Sequence, residues 1–91
     1  MDSFIPMTFN LWMQDRHSNL IKLGKKIRDC RIAKGYSQEA IAAEAHLDRA
    51  YMGRIERGEQ NISFQNLIRI ALALRVEVGL LVPPLKELKM P

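Results

Sequence analysis

The chain reads as an all-α protein, a compact bundle of about five helices, and three observations predict it. Between Met7 and Val82 there is no proline. Apolar residues recur at steps of three and four, and no stretch shows the apolar–polar alternation of a half-buried strand. One helix-start signature occurs three times, at Tyr36-Ser37…Ile41, Leu47-Asp48…Met52 and Ile62-Ser63…Leu67. In each, the polar N-cap side chain can accept an orphan backbone N–H of the first turn, worth about 1 kcal/mol. The apolar residues on either side of it, at N′ and N4, can staple the start of the helix.

The first helix is predicted over about Asn19–Lys34, because Leu20, Leu23, Ile27 and Cys30 share one face. Gly35 follows, where a helix commonly ends in the left-handed conformation. Upstream, Phe9, Trp12 and Met13 also have helical spacing; they either extend this helix backwards or form an arm. The second helix covers about Gln38–Ala45, and its alanines let a neighbouring helix approach closely. The third covers about Arg49–Arg57 and stops at Gly58. The fourth covers about Phe64–Leu74, with Leu67, Ile70, Ala71 and Leu74 on one stripe. Val76–Val82 is nearly all apolar and predicts a short fifth helix, ended by Pro83-Pro84. The organisation is then an arm or helix extension over 1–18, a domain over 19–82 and a tail over 83–91.

The 91 residues allow one core and exclude a two-domain enzyme, since a chain of this size buries roughly 60–65% of its unfolded surface. An apolar share of 47% with 26% charged residues is that of a globular protein. The single Cys30 cannot form an intrachain disulfide, which fits a reducing cytoplasm. There is no apolar run of membrane-spanning length, and residues 1–15 lack the basic start, apolar core and cleavage site of a signal peptide. His17 and His46 stand apart from any set of metal ligands, and Cys30 belongs to an apolar face. With no nucleophile motif or phosphate-binding glycine loop, neither an enzyme, a cofactor nor a small-molecule ligand is expected.

The net charge of +4 is unevenly spread. Ten basic and five acidic residues lie between Arg16 and Arg57, and four basic against five acidic lie elsewhere. The excess therefore sits in one segment, as a solvated face or as a surface for an anionic partner such as nucleic acid. Within it, two short helices are joined by His46-Leu47-Asp48. That is the length of the tight turn in a helix-turn-helix, whose second helix enters the major groove of DNA. It is also a connection that two ordinary helices of a bundle can have. His46 would take the position needing positive φ, which His tolerates better than most residues.

Ser37-Gln38-Glu39-x-Ile41-Ala42, Leu47-Asp48-Arg49-x-Tyr51 and Ile55-Glu56-Arg57-Gly58 resemble the XRE/Cro-type helix-turn-helix regulators. With Asn61-Ile62-Ser63 added, the chain resembles the controller proteins of restriction–modification systems, over about Leu23–Leu81. The resemblance implies a lambda-repressor-like DNA-binding domain in which 49–57 is the recognition helix. It assigns Arg49, Ala50 and Arg54 to base edges. A guanidinium fork suits the O6 and N7 acceptors of guanine, and the Ala50 methyl suits a thymine methyl or simple clearance. Tyr51 contacts a base step or a phosphate, or packs at the surface. Gln38 matches a phosphate-binding position, with Ser37, Arg57 and Asn61 as further phosphate candidates. Arg31 and Glu56 match a buried structural ion pair of related phage repressors. Two residues depart from the family pattern: His46 stands where glycine is common in the turn, and Glu59 where some relatives are basic.

One helix-turn-helix reads few base pairs, so a homodimer on a palindromic stretch of double-stranded DNA is expected. Val76, Val78, Leu80, Leu81 and Val82 are the candidate interface; closing the monomer core is their other use. Two rival readings remain at this level. An antitoxin would hold a toxin through the arm with Phe9, Trp12 and Met13. A protein-interaction module would not read DNA, and Arg49 and Arg54 on the recognition face argue against it.

Overall fold

The computed structural model describes residues 4–91, with side chains from Ser18 onward. Five α-helices, α1 Phe4–Ala33, α2 Gln38–Glu44, α3 Arg49–Glu56, α4 Phe64–Leu74 and α5 Val78–Leu81, are followed by a 3-10 turn at Leu85–Glu87. No strand occurs among the described residues. The first helix is 30 residues long and begins well before Asn19. The side chains of Phe9, Trp12, Met13 and His17 lie outside the described set. No helix among the described residues is long and apolar enough to cross a membrane.

The three N-caps form as their sequence signature predicts. Ser37 accepts from the Ala40 N–H at 3.0 Å, Asp48 from Tyr51 at 3.2 Å and Ser63 from Asn66 at 3.1 Å. Ser63→Ala should therefore cost about 1 kcal/mol and lower the melting temperature by about 4–8 °C, read by circular dichroism. The helix ends share a second device. At Gly35, His46, Gly58 and Arg75 the chain turns left-handed, with φ of +81, +58, +75 and +58°. Around each, two backbone N–H groups reach back to carbonyls of the last turn, as in Tyr36 N–H to Arg31 at 3.1 Å and Leu47 N–H to Ala42 at 2.8 Å. Positive φ at His46 is the conformation the tight turn requires. At Arg75 the same conformation has no sequence signal.

One core joins all five helices: Ile27 from α1, Ile41, Ala42 and Ala45 from α2, Met52 and Ile55 from α3, Leu67, Ile70, Ala71, Ala73 and Leu74 from α4, and Leu81 from α5. The close approach of α1 to the end of α3 is backbone against backbone. A Cβ on Gly24 would lie 2.3 Å from the Ile55 carbonyl oxygen, and one on Gly58 would lie 2.6 Å from the Ile21 Cα. The C-terminal tail folds back along α1. Asn19 donates to the Lys89 carbonyl at 2.7 Å and accepts from the Lys89 N–H at 2.9 Å, while Lys22 donates to the Glu87 carbonyl. Leu88 borders an apolar depression together with Leu20, Leu23, Ile62 and Phe64.

Candidate nucleic-acid interface

At about 100° per residue, α3 sorts its side chains into two halves. Met52, Ile55 and Glu56 face inward and are buried, while Gly53 is buried on the outer arc beneath the Arg57 guanidinium. Arg49, Ala50, Arg54 and Arg57 are exposed. Ala50 falls near the middle of this outer face, so three guanidinium groups surround one methyl. The N-cap at Asp48 and the Met52 and Ile55 anchors hold the helix at a fixed roll, which keeps these four side chains outward.

The ion pair behind this face is Arg31 with Glu56. Arg31 Nε donates to Glu56 Oε2 at 2.7 Å and Arg31 Nη2 to Glu56 Oε1 at 2.9 Å. Arg31 Nη1 also donates to the Tyr36 carbonyl at 2.8 Å, and Gln38 Nε2 donates to Glu56 Oε1 at 3.0 Å. The two charged side chains are 11% and 2% exposed. The hydrogen bonds to Glu56 hold the Arg31 guanidinium above its ordinary pKa, against the opposing effect of burial. This network ties α1 to the C-terminal half of α3 and, through Gln38, to the start of α2. Gln38 thus has a structural bond in addition to any contact with an anion.

Ser37, Gln38, Glu39, Ala40, Ala43 and Arg49 border an open depression of about 480 Å³ between the starts of α2 and α3. Asn61 does not join them; it borders a separate depression with Asn19, Leu20 and Pro91. Arg57 is held by Glu59, with Nε to Oε2 at 3.0 Å and Nη2 to Oε1 at 3.1 Å. The carboxylate raises the Arg57 pKa, first by these hydrogen bonds. It also cancels one of the three positive charges of the outer face, a local effect of the acid that departs from the family pattern.

Tyr51 is half-buried and packs against the core. Its hydroxyl accepts from Asn66 Nδ2 at 2.9 Å. Its ring lies under Arg54, whose guanidinium carbon is 5.8 Å from the ring centre, and Arg54 Nε donates to Gln60 Oε1 at 3.4 Å. Gln60 and Asn66 carry no sequence signal for this role: one is in a loop, the other opens α4. Of the candidate interface residues, Leu81 is wholly buried in the core, and Val76 and Val78 are half-buried against it. Leu80 and Val82 stay exposed, at 57% and 36%, as does Leu72 of α4. Among the described residues no group of three or more His, Cys, Asp or Glu side chains could hold a metal ion.

The profile of the Helix-turn-helix family, HTH_3, matches residues 27–81. The Neisseria hypothetical transcription factor of Neisseria meningitidis serogroup B is 41% identical over 69 residues, which are 75% of this chain and 65% of that protein. The chain thus spans slightly less than two thirds of that relative's length. Control protein C.BamHI of Bacillus amyloliquefaciens is 43% identical over 63 residues, 66% of this chain and 78% of that one. Among solved structures, the restriction-modification controller protein C.AhdI from Aeromonas hydrophila superposes with a TM-score of 0.68 at 45% identity, over 68% of this chain and 94% of that one.

Proposed function

Since the chain belongs to the XRE-type helix-turn-helix family, we propose that it is a sequence-specific DNA-binding transcription regulator, the controller of a restriction–modification system. The observation that carries this reading is the outer face of α3, where Arg49, Ala50 and Arg54 stand exposed on a helix whose inner face is locked into the core. Arg49 and Arg54 pair with guanine edges in the major groove, and Ala50 leaves room for a thymine methyl. Ser37 and Gln38 meet the phosphates flanking that groove. Arg57 and Asn61 contribute less, one because Glu59 offsets its charge and the other because it lies on a separate depression.

The protein works as a homodimer in the cytoplasm, on a palindrome whose half-sites lie one helical turn, about 34 Å, apart. Leu80 and Val82 pair with a second copy, and the exposed Leu72 of α4 is a further apolar candidate. Val76, Val78 and Leu81 support that surface from within. Selection from a random DNA pool should recover such a palindrome, and no enrichment of any sequence would overturn the reading. In the same assay Arg49→Ala should relax the preference at one base position of each half-site and weaken binding by about 1–3 kcal/mol. An unchanged selected motif would remove Arg49 from the reading set.

A further inference from the structure

We infer that Asn66, on α4 and outside the recognition helix, is a positioning residue for Arg54. It acts through the Tyr51 ring and sets the direction in which the guanidinium meets a base edge. The inference rests on the reading of Arg54 as a base-contacting residue. Arg54 is an exposed arginine in the last turn of α3, and a side chain of this length gives up considerable rotamer freedom when it forms two hydrogen bonds at once. A base reader gains from having that freedom removed before DNA arrives.

The surroundings of Arg54 remove it. The Tyr51 ring lies beneath the guanidinium at 5.8 Å, within cation–π range. Tyr51 has two side-chain torsions, and both its ends are held. The ring packs against the core, and the hydroxyl accepts from Asn66 Nδ2 at 2.9 Å. The backbone of Asn66 is itself held, because its N–H is capped by Ser63 at 3.1 Å and the next residue, Leu67, is a buried anchor of α4. The chain of contacts therefore runs from a capped helix start, through a ring held at both ends, to the Arg54 guanidinium. Gln60 adds a longer contact at 3.4 Å from the loop after α3. Without the amide of Asn66, the ring keeps its packing and loses the bond that fixes its tilt.

The test uses the full-length protein, a duplex carrying the selected operator, single-base variants of it and a random duplex. Arg54→Ala identifies the base pair that Arg54 reads. At that base pair Asn66→Ala should lower discrimination about 5-fold, the scale of one hydrogen bond or one cation–π contact. Affinity for the random duplex should stay unchanged. Tyr51→Phe, which keeps the ring and removes the acceptor, should give the same loss. Adding Asn66→Ala to either Tyr51→Phe or Arg54→Ala should cause no further loss. If Asn66→Ala weakens operator, variants and random duplex equally, the residue is only structural and the inference is overturned. It is overturned alone if Arg54→Ala erases a preference that both Asn66→Ala and Tyr51→Phe leave intact. If Arg54→Ala alters no preference, the base-reading role of Arg54 fails and the inference falls with it.

Discussion

Glu56→Ala is expected to remove a large part of the domain's stability. The Glu56 side chain is 2% exposed and accepts two bonds from Arg31 and one from Gln38. Its removal leaves the Arg31 guanidinium with 11% exposure and no carboxylate partner, and water cannot enter freely to replace the lost bonds. Breaking one side of a buried pair costs about 3–5 kcal/mol, against a total stability of about 5–15 kcal/mol for a domain. At about 4–8 °C per kcal/mol for a chain of this size, the melting temperature should fall by at least about 12 °C. A companion variant separates the charge effect from packing. Replacing both partners with apolar residues, Arg31→Met with Glu56→Leu, should recover most of the loss. A Glu56→Ala protein that melts with the wild type would show that the pair contributes nothing.

The second large effect is expected at Gly24. A Cβ there would stand 2.3 Å from the Ile55 carbonyl oxygen and 2.6 Å from that of Glu56. Both are backbone atoms of α3, so no side-chain rotation relieves the clash. The helices must separate, and the displaced segment carries Glu56, so the ion pair is strained as well. Overpacking of a close-packed interior costs about 1–3 kcal/mol and sometimes more. Helix propensity alone would make the same Gly→Ala change favourable by about 1 kcal/mol. Gly24→Ala should thus be destabilising, while Gly79→Ala, whose Cβ would meet nothing within 4 Å, should be neutral or slightly stabilising. Thermal melts of the two variants compare them directly. Equal melting temperatures would mean that α1 and α3 do not approach as described.

Much of the fold is legible in the amino-acid sequence. The capped starts at Ser37, Asp48 and Ser63, the turn centred on His46 and the Leu67–Leu74 stripe are local patterns, and they appear where their residues place them. The outer face of α3 is legible for the same reason: helical periodicity separates Arg49, Ala50 and Arg54 from Met52 and Ile55. Other features are not. Gly24 sits inside a helix, where a glycine is locally unfavourable, and its reason lies on a helix some thirty residues later. The apolar run 76–82 does not reveal that Leu81 enters the core while Leu80 and Val82 stay outside. The basic segment Arg16–Arg57 does not reveal that Lys22 bonds to the Glu87 carbonyl and Lys26 to the Val82 carbonyl, both more than fifty residues away.

Local residue pattern is enough to specify the helices, their ends, the turn between α2 and α3 and the side chains that α3 turns outward. Each of these depends on residues within one or two turns of one another. Packing alone settles which charges remain for a partner, which apolar side chains the core consumes, and that Tyr51 is held by Asn66 beneath Arg54. Those outcomes depend on distances between segments far apart along the chain. Such distances are set only when the helices pack, and local spacing carries no record of them.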